Sequence, residues 1–87
     1  MTNQIQIEGR VLGKVMRFAD KEGRAADFTL YHEGRYQFQV ISLYPVSHDI
    51  IDGSLVTVCG KLLENEGDCH IQASSVELDK QIEMVFQ

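Results

Sequence analysis

Residues 51–62 of this chain, Ile51-Asp52-Gly53-Ser54-Leu55-Val56-Thr57-Val58-Cys59-Gly60-Lys61-Leu62, place a glycine inside a strand pattern. Val56, Val58 and Leu62 are apolar at alternate positions, the period of a strand with one buried face. Gly60 lies on that same face without a side chain. Glycine weakens a strand interior, so it marks a point where the strand bends sharply or another backbone comes close. A small sheet closing into a barrel needs such points, because its strands must coil to meet. The segment predicts a bent barrel strand that follows a tight turn.

Four further segments carry strand signals, with turn signals between them. The first covers residues 4–18, where Ile5, Ile7, Val11 and Val15 share one parity with Gly9 and Gly13. Its apolar parity breaks at Met16 and Phe18, as a bulge would produce. The polar run Asp20-Lys21-Glu22-Gly23-Arg24 ends it in a loop. A second strand is predicted over residues 25–32, and Glu33-Gly34 turns into a third over residues 36–43. There Phe38 and Val40 take one face and Ile41 and Leu43 the other, so the connector or another subunit is expected to cover part of the exterior. Pro45 cannot continue a central strand, which makes residues 44–54 a connector with room for one helical turn at residues 47–51. Residues 55–63 form strand four. Residues 64–68 are the next turn, and residues 70–78 are strand five. The predicted architecture is all-β: a five-stranded OB-fold Greek-key barrel with extended hairpins.

At 87 residues the chain is one domain, read as residues 1–78 with a C-terminal extension at 79–87. The pattern leaves open whether that extension is a short helix, a strand used in oligomer contacts or a tail. So small a domain has a modest core, and oligomerisation would add stability. No apolar run approaches the roughly 18 residues of a membrane span, and residues 1–4 lack the layout of a signal peptide. A cytoplasmic protein is expected. If residues 64–67 are the turn, Leu63 faces Asp68 and Cys59 faces Gln72, so the two cysteines do not pair. Two thiols fall short of the roughly four ligands of a zinc site, and His70 next to Cys69 points to the opposite face. No metal or cofactor is expected. His32, His48 and His70 lie in separate segments beside no nucleophile, and no phosphate-cradling glycine motif occurs, so the chain is not read as an enzyme.

The formal charge of −5 speaks against nucleic acid until its distribution is considered. Arg10, Lys14, Arg17, Lys21, Arg24 and Arg35 lie in the first 35 residues, whereas Lys61 and Lys80 are the only basic residues beyond them. Binding follows the local field, so a basic face on an acidic protein is possible; an ordinary mixed surface is the plain alternative. Proteins that hold single strands combine cations along the phosphates with aromatic rings on which bases stack. In an OB barrel the usual surface is the face of strands two and three with its flanking loops. Arg17, Lys21 and Arg24 fall at the first loop, with Phe18 at its entrance and Lys14 just before. Arg35 falls at the turn between strands two and three. Tyr31, Tyr36 and Tyr44 lie on or beside those strands. Phe28 and Phe38 fit core packing better. Tyr31 has the outward parity, while Tyr36 shares the parity of Phe38 and stands between core and surface. Arg24 and Arg35 could equally pair with Glu22 and Glu33. Glu64, Glu66 and Asp68 at the second loop would repel phosphate.

Several runs together resemble the bacterial single-stranded DNA-binding proteins, and among them the primosomal replication protein N group. They are the opening alternating strand to Gly9 and Val11, Arg17 before the Gly23 loop, Asp27-Phe28-Thr29-Leu30 ending in His32, and Tyr36-Gln37-Phe38-Gln39-Val40. Asp52-Gly53-Ser54-Leu55-Val56-Thr57-Val58-Cys59-Gly60 and Ile71-Gln72-Ala73-Ser74-Ser75-Val76-Glu77-Leu78 complete the set. The resemblance implies an OB fold that forms a homodimer or homotetramer. It also implies binding of single-stranded DNA, or RNA, beside other proteins of replication, restart, recombination or repair. The chain departs from that group in its acidic total and in having no tryptophan, Tyr36 standing nearest to the usual position on strand three. It also has no long linker with an acidic tip.

Arg17, Arg24 and Arg35 are therefore the expected phosphate contacts, with Lys14 and Lys21 beside them, and Tyr31 and Tyr36 the stacking rings. The rival expectation is a protein-interaction module, with the acidic second half as its contact surface and Ile41 and Leu43 in a subunit interface.

Overall fold

The computed structural model describes residues 4–18 and 25–79. Five strands follow in order: β1 (Gln4–Arg17), β2 (Ala26–His32), β3 (Tyr36–Ser42), β4 (Leu55–Asn65) and β5 (Asp68–Leu78). They close into a barrel in the order β1-β2-β3-β5-β4. Every neighbouring pair is antiparallel except β3 and β5, which run parallel over only four register pairs, from Gln39↔His70 to Ser42↔Ala73. This closed five-stranded all-β topology is the OB fold, and no helix occurs among the described residues.

β1 serves both sides of the barrel. Residues 4–10 pair with β4, and residues 10–17 pair with β2. The change is made at a bulge: Leu12 pairs with Thr29, but the next partner, Asp27, belongs to Met16. Gly13 sits in it with φ 79°, a left-handed conformation that a side chain disfavours. The parity break at Met16 has this cause. At Gly60 a second register shift lets β5 wrap round β4, since Cys59 pairs with Ser75 but Gly60 with Ala73. A Cβ added at Gly60 would lie 2.7 Å from the Ala73 Cα. The glycine is there because another backbone occupies the space.

The alternation read from the sequence sorts the strands into faces. Val11, Phe28, Leu30, Val40, Val56, Val58 and Ile71 point inward and are buried. The connector closes one end of the barrel by inserting Val46, 6% exposed, and Ile50, fully buried. It does so without a helical turn: Ile50 N–H donates to Ser47 O at 3.1 Å in a single turn. Among the described residues the other end has no such plug, and Ile5, Ile7, Phe38 and Leu62 pack against the core there only partly buried.

The β4–β5 turn differs from the expected one. It is the two-residue turn Glu66-Gly67, both with positive φ (51° and 89°), as a type I′ hairpin requires. The hairpin therefore extends to Asn65↔Asp68. Leu63 faces His70 and Cys59 faces Ser75, instead of the partners a turn at residues 64–67 would give. Cys69 faces Glu64, and neither cysteine is in a disulfide. Asp79 continues the β5 path, donating N–H to Leu55 O at 2.9 Å and accepting from Thr57 Oγ1 at 2.8 Å. The rest of the extension lies outside the described residues.

Candidate nucleic-acid interface

The outer face of the β1–β2–β3 sheet is built from positions whose alternates form the core. Three rows cross it. Arg10, Tyr31 and Gln37 are cross-strand partners, as are Leu12, Thr29 and Gln39, and Met16, Asp27 and Ile41. The face thus offers one ring, two amides, one hydroxyl, one guanidinium and the Asp27 carboxylate, with Leu12 and Met16 exposed beside them. Ile41 and Leu43 are half-buried.

Tyr31 is on this face, as its parity predicts. Its hydroxyl donates to Gly34 O at 2.7 Å, which holds the ring against the hairpin turn. With Arg10, Leu55, Glu8 and the turn it lines an open cleft of about 480 Å³. Arg10 is the cation that sequence reasoning passed over. Its guanidinium Nη1 donates to Gly53 O at 2.8 Å, holding it beside Tyr31. Its even parity on β1, shared with Leu12, was the available signal.

Tyr36 lies on the other side of the hairpin. It pairs with His32, on the parity of Phe38 and Val40, but at the rim of the open end, where it is 48% exposed. Arg35 Cζ stands 5.2 Å from its ring centroid, a cation–π arrangement. The His32 ring is 6.4 Å away at an interplanar angle of 31°. Arg35 stays exposed and stacks on a ring instead of pairing with Glu33, whose carboxylate is 3.7 Å from His32 Nε2. The two tyrosines expected to stack bases therefore share one hairpin but occupy opposite faces of it.

Arg17 is committed elsewhere. Nη2 donates to Ser47 O at 2.7 Å and to Ile50 O at 3.0 Å, clasping the connector to the end of β1. Its Nε is buried with no hydrogen-bond partner among the described residues. Two open clefts flank it: one with Phe18, Pro45 and His48, the other with Lys14, Ile51 and Asp52. Lys14 is exposed on the bulge. Lys21 and Arg24 lie outside the described residues. Tyr44 is 58% exposed just beyond β3, where its N–H and carbonyl both bond the buried Ser42 hydroxyl. Glu64 and Glu66 are exposed on the β4–β5 hairpin.

The expected residues thus form two groups. Lys14 and Arg17 mark the bulge end of β2, while Arg35, Tyr36 and Tyr31 mark its hairpin end. The seven-residue strand β2 runs from one group to the other, a length of about 20 Å. Among the described residues no group of three or more His, Cys, Asp or Glu side chains is placed to hold a metal.

No family model matches the chain, and no curated protein matches it in sequence. Among solved structures it is similar to the second single-stranded DNA-binding protein (SSBb) of Mycobacterium smegmatis, with a TM-score of 0.77 and 19% identity. The match covers 100% of both chains, so the chain shares the fold of that protein.

Proposed function

We propose that this protein binds single-stranded DNA, without chemistry, along the β1–β2–β3 outer face and over the β2–β3 hairpin. One observation carries the reading: the hairpin holds a ring on each side, Tyr31 beside Arg10 and Tyr36 under Arg35. Rings and cations alternating along a groove are what a single strand requires. The full-length likeness in fold to a single-stranded DNA-binding protein supports it. Arg10, Arg35 and Lys14 take phosphates, with Lys21 and Arg24 extending the track at the first loop. Arg17 contributes its field from the connector clasp. RNA offers the same charges and bases, and DNA is the ligand to test first. The setting is cytoplasmic replication, restart at a primosome, recombination or repair, alongside other proteins of those processes. A homodimer or homotetramer is supported by the second edge of β1 before Arg10, which pairs with no strand among the described residues, and by the half-exposed apolar residues at the open end.

Salt titration of oligo-dT binding tests the reading. Log K should fall linearly with log salt, by about 0.7 for each phosphate neutralised, and Arg10→Ala should lower that slope by about one such step. No binding at low salt would instead favour a protein-interaction module built on the acidic second half.

A further inference from the structure

We propose that the open end of the barrel is a pocket for one unstacked nucleobase of the bound strand, gripped at its edge by His32. The inference rests on the single-strand reading above and adds a subsite to it. The cleft there measures about 570 Å³, within the range of about 300–1,000 Å³ typical of small-ligand sites. Its floor is apolar, made by Ile5, Ile7, Phe38 and Leu62, each only partly buried. Its rim is polar, and His32 is the residue there with a committed orientation.

His32 Nδ1 is 2.7 Å from Glu8 O. A carbonyl oxygen only accepts, so Nδ1 carries the proton and Nε2 is the nitrogen left to bond a ligand. Neutral, it accepts from an imino or amino N–H on a base edge. Protonated, it donates to a base carbonyl. A planar base has apolar faces and a polar edge, which matches an apolar floor with a hydrogen-bonding rim. An aliphatic occupant would offer Nε2 no hydrogen bond.

Charge decides which part of a nucleotide enters. Glu8 is among the residues lining the cleft and the Glu33 carboxylate is 3.7 Å from His32 Nε2, so a phosphate is repelled from the mouth. Arg35 stands on the Tyr36 ring just outside, where the phosphate is welcome. The cleft is continuous with the interface, because His32 lines both it and the Tyr31 cleft, and its ring lies beside Tyr36. A strand crossing the hairpin tip passes from Tyr36 into the mouth.

The test uses the shortest oligo-dT that binds fully, with a single abasic site walked along it. In the unaltered protein the positions stacked on Tyr31 and Tyr36 should lose affinity, and one further position should lose it about tenfold, the worth of one held base. In His32→Ala, and separately in Phe38→Ile, the intact oligonucleotide should weaken to the level of the one abasic there, and the loss at that further position should vanish. A profile without that further position, or a loss there that persists in both variants, overturns the pocket while leaving the single-strand reading in place. A profile without it together with self-association that His32→Ala abolishes assigns the mouth to a second copy of the chain and also overturns the pocket. Failure of the unaltered protein to bind the intact oligonucleotide at low salt ends both.

Discussion

At Gly60 an added methyl group would press on the Ala73 Cα from 2.7 Å, against backbone that cannot swing aside as a side chain can. Gly60→Ala should therefore cost about 2 kcal/mol or more, read as a lower urea midpoint with an unchanged slope. Arg17 makes a different kind of claim. Its guanidinium satisfies the carbonyls of Ser47 and Ile50 and so holds the plug of Val46 and Ile50 in the barrel end. Arg17→Met leaves both carbonyls without that donor and should lower unfolding free energy by about 1–3 kcal/mol. A variant that kept full stability and lost only oligonucleotide affinity would return Arg17 to the phosphate track. Nothing in the local sequence reveals the clasp, because both acceptors are backbone atoms some 30 residues further along the chain.

At the level of the elements, much was legible from alternation alone. Ile5, Ile7 and Val11 on one parity of β1, and Phe28 with Leu30 on β2, mark the inner face without any knowledge of the partner strands. The bulge announced itself through the parity break at Met16, and Gly13 supplies its left-handed residue. The β4–β5 turn was less legible. Residues 64–67 all look turn-like, and the true turn begins with Glu66, a non-glycine at φ 51° that composition does not single out. For the candidate site, parity placed Tyr31 outward but could not decide Tyr36. A residue on the inner parity is core in mid-strand and rim at a barrel end, and only closure of the barrel tells which. Because Tyr36 is at the rim, Tyr36→Ala should leave the melting temperature nearly unchanged. It should weaken oligo-dT binding by about 1–3 kcal/mol, measured by fluorescence anisotropy.

Over the whole molecule, acidity and nucleic-acid binding are reconciled by position. The exposed carboxylates Glu64 and Glu66 ride on the β4–β5 hairpin, and although Glu8 and Glu33 lie near the rings, Arg10 is held beside Tyr31 and Arg35 over Tyr36. The parallel seam between β3 and β5 has a further consequence, in the order of assembly. The β2–β3 and β4–β5 hairpins join neighbours in sequence, whereas the seam joins Gln39 to His70 and Ser42 to Ala73 through four pairs. Long loops must close before those four pairs form, and few contacts repay the cost. The seam should be the last joint made in folding and the first to open. In native-state hydrogen exchange, amides bonded across it should exchange ahead of those in the ten-pair β4–β5 ladder. A barrel that opens there is still one sheet, in the order β3-β2-β1-β4-β5, with every other pairing kept.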